Sequence, residues 1–523
     1  MFHHCAIPSL RLAVAIVLLT PALLWGRLFR PAVVTHVAPA PMVVADVNGD
    51  GNGDLLLASG SLQVLLSNGD GSFAPGQAYS SGISALAVAD INRDGKNDVV
   101  VTGTSTRVFL GNGDGSFQPP REIGPGDGPV TVQDINGDGN LDVVVGGTRV
   151  VVVLGNENGT FQAPLDIGPG NGPIAVQDMN GDGKIDIFSC CNNSLAAVWI
   201  GNGDGTFQEP RYSHTDGTSF ALADANLDGN TDLLAVSPGS VEVSLGIGDG
   251  SFQLAQTYPT GGVQAFSIAA TDLNGDGKPD LVVGNKCDGS ARCDSGIIAV
   301  LLGNGDGTFK SPVGYSSPTF DPRVMLLADV TGDGWPDVLV AECARHGLCI
   351  NRKTGASTTG PGRIGVLVNN RNGTLQAAQL YGSGGRGIES IAVGDVSGDG
   401  RPDLIAGNGC PRGSGCEGPP NIGVLLHTGV LYTVTTISSS MNPSIAGQPV
   451  SFTATVSAHG SPTGIVRFKD GNHVLGEIPL TASMATLTTD QLTIGEHSIT
   501  AFFVGDWPWE KTRASMIQVV TGP

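Results

Sequence analysis

Eight times along this chain three aspartates stand at the first, fifth and ninth places of a nine-residue stretch, Asp-x-Asn-x-Asp-Gly-x-x-Asp. The copies open at Asp46, Asp90, Asp134, Asp178, Asp224, Asp272, Asp329 and Asp395, and close at Asp54, Asp98, Asp142, Asp186, Asp232, Asp280, Asp337 and Asp403. Their fifth places are Asp50, Asp94, Asp138, Asp182, Asp228, Asp276, Asp333 and Asp399. A hard cation such as Ca2+ takes about six to eight oxygens, and a chain wrapped around it offers side chains from alternate positions, so acids or amides belong at one, three and five. The third place is Asn48, Asn92, Asn136, Asn180, Asn226 and Asn274, then Thr331 and Ser397. Glycine fills the sixth place throughout, where a sharp turn favours positive φ. The seventh place varies freely, as expected of a position that gives only its backbone carbonyl. A closing acid at nine followed at once by a β-like run, as in Asp142-Val-Val-Val, separates this loop from the helix-flanked EF-hand, whose closing Glu stands at twelve. A tight Asp-Gly turn would explain one copy. Eight copies holding the same three carboxylates point to metal.

The elements that carry these loops recur with them. Loop starts lie 44, 44, 44, 46, 48, 57 and 66 residues apart, so the chain is an array with one structural unit per period. Each unit reads strand, acidic loop, strand, connection, strand, turn, strand. In the second it is Ala85-Leu-Ala-Val, the loop, Asp98-Val-Val-Val, then Arg107-Val-Phe-Leu and the turn from Gly111 to Phe117. Four short strands per period, without helical periodicity, predict an all-β fold of β-propeller blades. Eight loops favour eight blades; seven plus a partial unit is the alternative, because the turn phrase Leu-Gly-Asn-Gly-Asp-Gly-Ser/Thr-Phe weakens at Leu375 and is lost after Leu426. Asn-Gly and Asp-Gly suit tight hairpins. Asp114, Asp204 and Asp306 are therefore read as turn residues rather than ligands, and the phrase's Phe as a packing anchor between blades.

The chain has 523 residues, 78 of them Gly, and a formal charge of -21. The loops supply half of its 48 acidic residues. Eight bound Ca2+ would bring the charge to about -5. No basic stripe exists to neutralise phosphates, which argues against a nucleic-acid partner. His3, His4 and Arg11 precede an apolar core from Leu12 to Trp25. Residues 1–30 thus read as a secretory signal, cleaved near Gly26 or around Ala38-Pro39-Ala40, or as an uncleaved anchor, the one route to a membrane. Export to the outside or the cell surface agrees with the cysteines. Cys287 and Cys293, Cys343 and Cys349, and Cys410 and Cys416 share one spacing and follow loops six, seven and eight. That placement favours three local disulfides, each contributing about 2 kcal/mol, over a zinc site. For Cys190 and Cys191 a vicinal disulfide and two buried thiols both stand open.

These residues resemble the FG-GAP or VCBS repeats of bacterial exported proteins, related to the integrin α-chain propeller. The resemblance spans about Pro41 to Leu431, within a propeller domain taken as 31–431. It implies calcium ligands at places one, three, five and nine, with the seventh-place carbonyls of Asn52, Lys96, Asn140, Lys184, Asn230, Lys278, Trp335 and Arg401. Up to eight structural ions would follow, held more weakly in loops seven and eight, where Thr331 and Ser397 keep an oxygen but lose the amide. Growth of the period in units six to eight falls in the second connection, at 284–296, 341–365 and 407–423. One sector of the face opposite the acidic loops is therefore expected to carry three enlarged loops and the partner surface.

From about Tyr432 the repeat ends. Val450 to Val456, Gly464 to Phe468, Ala485 to Thr488 and His497 to Phe502 alternate as strands of a β-sandwich over 432–523. The stretch from Asn442 to Val519 resembles bacterial Ig-like domains, without the antibody-type disulfide. Trp507 and Trp509 are expected in packing. No catalytic motif is present. The expected role is adhesion to, or recognition of, an extracellular protein or glycan by a monomer. The second class is a carbohydrate-active protein, a lectin or a polysaccharide lyase at the propeller face, with Arg323, Arg345, His346 and Arg386 as loose candidates for a base.

Overall fold

The computed structural model of the chain describes residues 28–522 apart from 39, 75, 193, 238, 290–295, 318–321, 343–348, 351–356, 359–361, 410–419, 430–432, 458–461, 472, 507–508 and 510. The described residues form strands, turns and irregular segments and no helix. Residues 31–431 build eight four-stranded blades, the count that the eight loops favour. In blade three, Val130–Gln133, Asp142–Val145, Gly147–Val153 and Leu165–Gly172 pair in order as an antiparallel meander. Blades one and two share a strand. Ala78–Ala89 pairs at its start with Gly60–Ser67 of blade one and further along with Asp98–Gly103 of blade two.

The second strand of each blade is an almost unbroken apolar run because neighbouring blades cover both of its faces. In Asp54–Ala58, Leu55 and Leu57 pack towards blade eight while Leu56 and Ala58 pack towards blade two. Repeated around the ring, this gives a separate apolar core at each of eight blade interfaces. Phe117 of the turn phrase is buried in one of them, edge-on to Tyr79 of blade one, whose hydroxyl accepts the Phe117 N–H at 3.1 Å. The phrase's Phe is thus a packing anchor between blades. Strand direction alternates within a blade, so the acidic loop and the Asn-Gly-Asp-Gly turn leave from one face of the disc and the second connection from the other.

Blade eight takes its outer strand from the other end of the chain. Ile388–Gly394, Asp403–Asn408 and Asn421–Leu425 are completed by Val33–Thr35, in register Val33↔Val424 and Thr35↔Ile422. The turn phrase fades in this unit because no local fourth strand follows it. Phe29 is fully buried, edge-on to both Tyr381 of blade seven and His427 of blade eight, and the Leu28 N–H donates to the Tyr381 hydroxyl at 3.0 Å. Among the described residues the propeller core thus takes in Leu28 and Phe29, which lie inside the stretch read from sequence as a signal or anchor. Cleavage around Ala38-Pro39-Ala40 would remove the closing strand.

After the ring, Val434–Ser439, Val450–Ser457 and Met484–Thr489 form one sheet. Ser444–Ile445, Thr512–Thr521, Gly495–Gly505, Gly464–Asp470 and His473–Pro479 form the other. Phe452, Phe468 and Phe503 are fully buried in the shared core, with Trp509 packed against it. This is the Ig-like sandwich; Trp507 lies outside the described residues. Of the three enlarged connections, the structure describes their flanks and a short ladder, Cys349–Ile350 with Ser357–Thr358, in blade seven. Cys190 and Cys287 are each disulfide-bonded. The other cysteine side chains, and with them the remaining pairings, lie outside the described residues.

Candidate metal sites

Each acidic loop is wound by its own side chains. In the first, both Asp46 oxygens accept backbone N–H groups, Oδ1 from Gly49 at 2.6 Å and Oδ2 from Gly51 at 2.9 Å. Asn48 Oδ1 takes the Asp50 N–H at 2.9 Å, and Asp50 Oδ1 takes that of Asn52 at 2.8 Å. The last three of these bonds recur in loops two to six, while Oδ1 of place one takes the place-four N–H in loops three, four and six and the place-five N–H in loops two and five. The sixth glycine is needed: Gly183 sits at φ +80° with open space where a Cβ would be, so backbone conformation rather than crowding selects it. The backbone bonds lower Asp50 and Asp138, the N–H of place seven being the main cause.

The ninth aspartate is fully buried in all eight loops. Its Oδ2 accepts the N–H of place two, as from Ile91 to Asp98 at 2.9 Å. Its Oδ1 accepts the N–H that opens the turn after the third strand, as from Gly111 at 2.7 Å. The pattern repeats with Ser67, Gly155, Gly201, Gly246, Gly303, Asn369 and His427 as the turn donors. This carboxylate therefore pins loop to turn. Neighbouring blades bond to the same loop, since the carbonyls of Val47 and Ala225 at place two accept N–H groups of the next blade's turn, Gly115 and Gly307, both at 3.0 Å.

Burial pushes every closing carboxyl up against the pull of its N–H donors. Asp186, Asp232 and Asp403 rise to about 6 and Asp337 to about 7, and Asp54, Asp98, Asp142 and Asp280 rise as well. The charges that act on Asp54 are further carboxylates, Asp50 and Asp46. An oxygen-only choice of side chains beside a buried carboxyl repelled by its neighbours suits a hard divalent cation, and outside loop seven, where Asp337 Oδ2 accepts from both Val330 and Thr331, each closing oxygen keeps a lone pair beyond the one N–H described above. Loops one to six and eight fit calcium in this sense. Among the described residues no three His, Cys, Asp or Glu side chains are gathered as a ready-made metal cluster; the first and fifth carboxylates are turned onto the loop's own N–H groups.

Loop seven departs. Oδ2 of the fifth-place Asp333 accepts two N–H groups of Arg371, Nε at 3.1 Å and Nη2 at 3.0 Å. The Asp333 side chain is only 1 % exposed. In loops one, two, three, five and six the corresponding Oδ2 accepts instead from the third-place Asn amide on an exposed rim. Arg371 was not singled out from sequence, although its signal is present: unit seven writes Asn369-Asn-Arg-Asn where units two, four and six write Gly-Asn-Gly-Asp. Other named residues fall away from any site. Asp114, Asp204 and Asp306 each accept the N–H and hydroxyl of the Ser or Thr two residues on, as turn residues do. Arg345, His346 and the Arg323 side chain lie outside the described residues, and Arg386 stands in the link between blades seven and eight.

The fold and its loops define an eight-bladed propeller with one acidic loop per blade, joined to an Ig-like sandwich. The FG-GAP-like repeat model matches 46–101, 90–145, 178–235, 224–283, 289–340 and 356–406, together more than half of the chain, so the chain belongs to the FG-GAP-like repeat family. Residues 436–521 match the bacterial Ig-like domain, group 3. Among solved structures, the chain is similar to an Agrocybe aegerita lectin described as recognising non-reducing terminal N-acetylglucosamine, at 23 % identity and TM-score 0.39 over 53 % of this chain and 80 % of that one. It is also similar to the Vibrio cholerae biofilm matrix protein Bap1, at 15 % and 0.35 over 76 % and 88 %, and to Saccharomyces cerevisiae Sqt1, at 11 % and 0.47 over 77 % and 99 %. At these scores the likenesses do not bear on what this chain binds. The combination of FG-GAP repeats with an Ig-like domain suggests an extracellular adhesion or recognition propeller.

Proposed function

We propose that this chain is an exported adhesion or recognition protein whose acidic loops hold calcium as a structural ion. The observation that carries the reading is the repeated buried carboxylate that ties each loop to its turn and feels the further negative charge of its loop's other aspartates. Calcium, when bound, supplies the positive charge that offsets burial of these groups. The chain's own residues do the rest: places one, three and five shape the loop, the ninth anchors it, and the place-two carbonyl passes the order to the next blade. The apolar segment from Leu12 to Trp25 serves export. Recognition of an extracellular protein or glycan is assigned to the face opposite the loops, where the three longest connections emerge.

Thermal unfolding with excess Ca2+ and with a chelator, with bound metal counted in the same sample, tests the metal half. A large fall in Tm on chelation and several ions per chain are expected; no shift with metal near zero would overturn it. For the recognition half, a glycan array and a panel of immobilised extracellular proteins are probed with the wild type and with a variant whose three long connections are cut to the length of blade three's. Binding that survives the cut would move recognition elsewhere.

A further inference from the structure

We propose that loop seven is filled from within by the Arg371 guanidinium and takes up no calcium, so that the propeller binds seven ions from eight acidic loops. The inference rests on the calcium reading of the other loops.

The geometry is specific to this blade. In every loop the fifth aspartate spends Oδ1 on the N–H of place seven, and its Oδ2 accepts at most from the exposed third-place amide in loops one, two, three, five and six. At loop seven that oxygen is taken by two N–H groups of one guanidinium. A cation at this oxygen must displace the arginine, whose side chain is 18 % exposed against a nearly inaccessible carboxylate. Lys96 and Lys184 also approach fifth-place aspartates, Asp94 and Asp182, but from the exposed rim at 3.9 and 3.8 Å. Arg401 reaches Asp399 of loop eight at 3.5 Å, again between exposed groups. These are solvated neighbours of a site; Arg371 is half-buried and pairs with a carboxylate that is itself buried.

Three further changes accompany the arginine. Arg371 adopts φ +62°, a conformation L side chains rarely accept, at the turn position filled by glycine in five other blades, Gly69, Gly113, Gly203, Gly248 and Gly305. An arginine kept there against its backbone preference is held by what its head group bonds. Thr331 replaces the third-place amide, and its hydroxyl donates to Asp329 Oδ1 at 3.3 Å. Asn372, whose oxygen accepts from Thr374, replaces the turn aspartate found in five other blades, removing one carboxylate from the turn that carries Arg371. Ligand lost, cation gained and competing charge removed all act in one direction.

The test counts calcium per chain after equilibrium dialysis of the full protein. The same substitution is made in two loops, Asp276→Asn in loop six and Asp333→Asn in loop seven, alongside the double variant Thr331→Asn/Arg371→Gly. Expected are seven ions for the wild type, six for Asp276→Asn, seven for Asp333→Asn and eight for the double variant. A wild type that binds eight and drops to seven with Asp333→Asn would overturn this inference while leaving the calcium reading intact. A wild type near zero would overturn both. Should Asp333→Asn not fold, the double variant decides alone: a count unchanged from wild type overturns the proposal.

Discussion

The propeller and the Ig-like sandwich bury β-sheet in two different ways. In the sandwich each strand shows one face to the core and one to water, as in Val450–Ser457, where buried and half-buried residues alternate. Its buried polar groups among the described residues are neutral: Thr433, Thr435, Ser444 and Gln518, with hydrogen-bond partners such as Met441 O and Ser444 Oγ for the Gln518 amide. In the propeller the central strands are covered on both faces and each begins with a buried carboxylate, from Asp54 to Asp403. One fold buries neutral polar groups alone, whereas the other carries eight buried carboxyl groups at the ends of its strands. The difference teaches where external cations should matter.

The largest effect expected is on ring closure. Deleting 28–37 removes Phe29 and the strand Val33–Thr35, opens the interface between blades seven and eight, and leaves Asn421–Leu425 an unpaired edge. Loss of the cooperative propeller transition, with the sandwich transition intact in calorimetry, is the expected outcome; an unchanged propeller Tm would show that the ring does not need its terminal strand.

Chelation comes next and separates the two domains directly. A site at a thousandfold excess of ligand over its Kd contributes about 4 kcal/mol, and several sites act together. The propeller transition should therefore fall by more than a single core truncation can achieve, while the sandwich transition stays in place. A sandwich that moves equally would break the contrast. Conversely, Phe452→Ala, at the centre of the sandwich core, should cost about 3–5 kcal/mol and lower only the calcium-independent transition. Smaller again is Gly183→Ala. At φ +80° with room for the methyl, it should cost the roughly 1–2 kcal/mol of left-handed backbone and little more. Differential scanning of this variant with and without calcium checks both numbers.

Much of this was legible because it repeats. Asp98, Gly95 and Phe117 each recur at the same place in several units, and a period of about forty residues with four apolar runs fixes blade and loop together. What was missed involves single events. Val33 pairs with Val424 from the far end of the chain, and a contact made once across such a distance leaves no periodic mark; the only trace was a last unit lacking its fourth strand. Arg371 lay in a turn where departures from the phrase read as decay rather than as substitution, because its partner Asp333 is 38 residues away and looks in sequence like every other fifth-place aspartate. The double duty of the closing aspartate was half legible. Its identity was plain, but its bond to the turn needs the fold that brings Gly111 to Asp98.

The smallest expected effect lies in the sandwich and concerns protons instead of metal. His497 is partly buried, which disfavours its charge, but its Nε2 lies 2.7 Å from the Thr493 carbonyl and its Nδ1 2.6 Å from Asp470 Oδ2, and together these raise it above the ordinary histidine value. A histidine that binds its proton more tightly when folded adds stability that is fully present below the unfolded value, roughly 6.5. That stability is lost as pH rises through the higher folded value. The sandwich should therefore unfold at slightly higher temperature at pH 6 than at pH 8.5. Asp470→Asn removes the anionic partner and should flatten that slope, whereas the propeller's calcium-dependent transition should not respond to this substitution at any pH. The Thr493 carbonyl stays in Asp470→Asn and keeps part of the slope; a slope wholly unchanged would show that Asp470 does not raise His497.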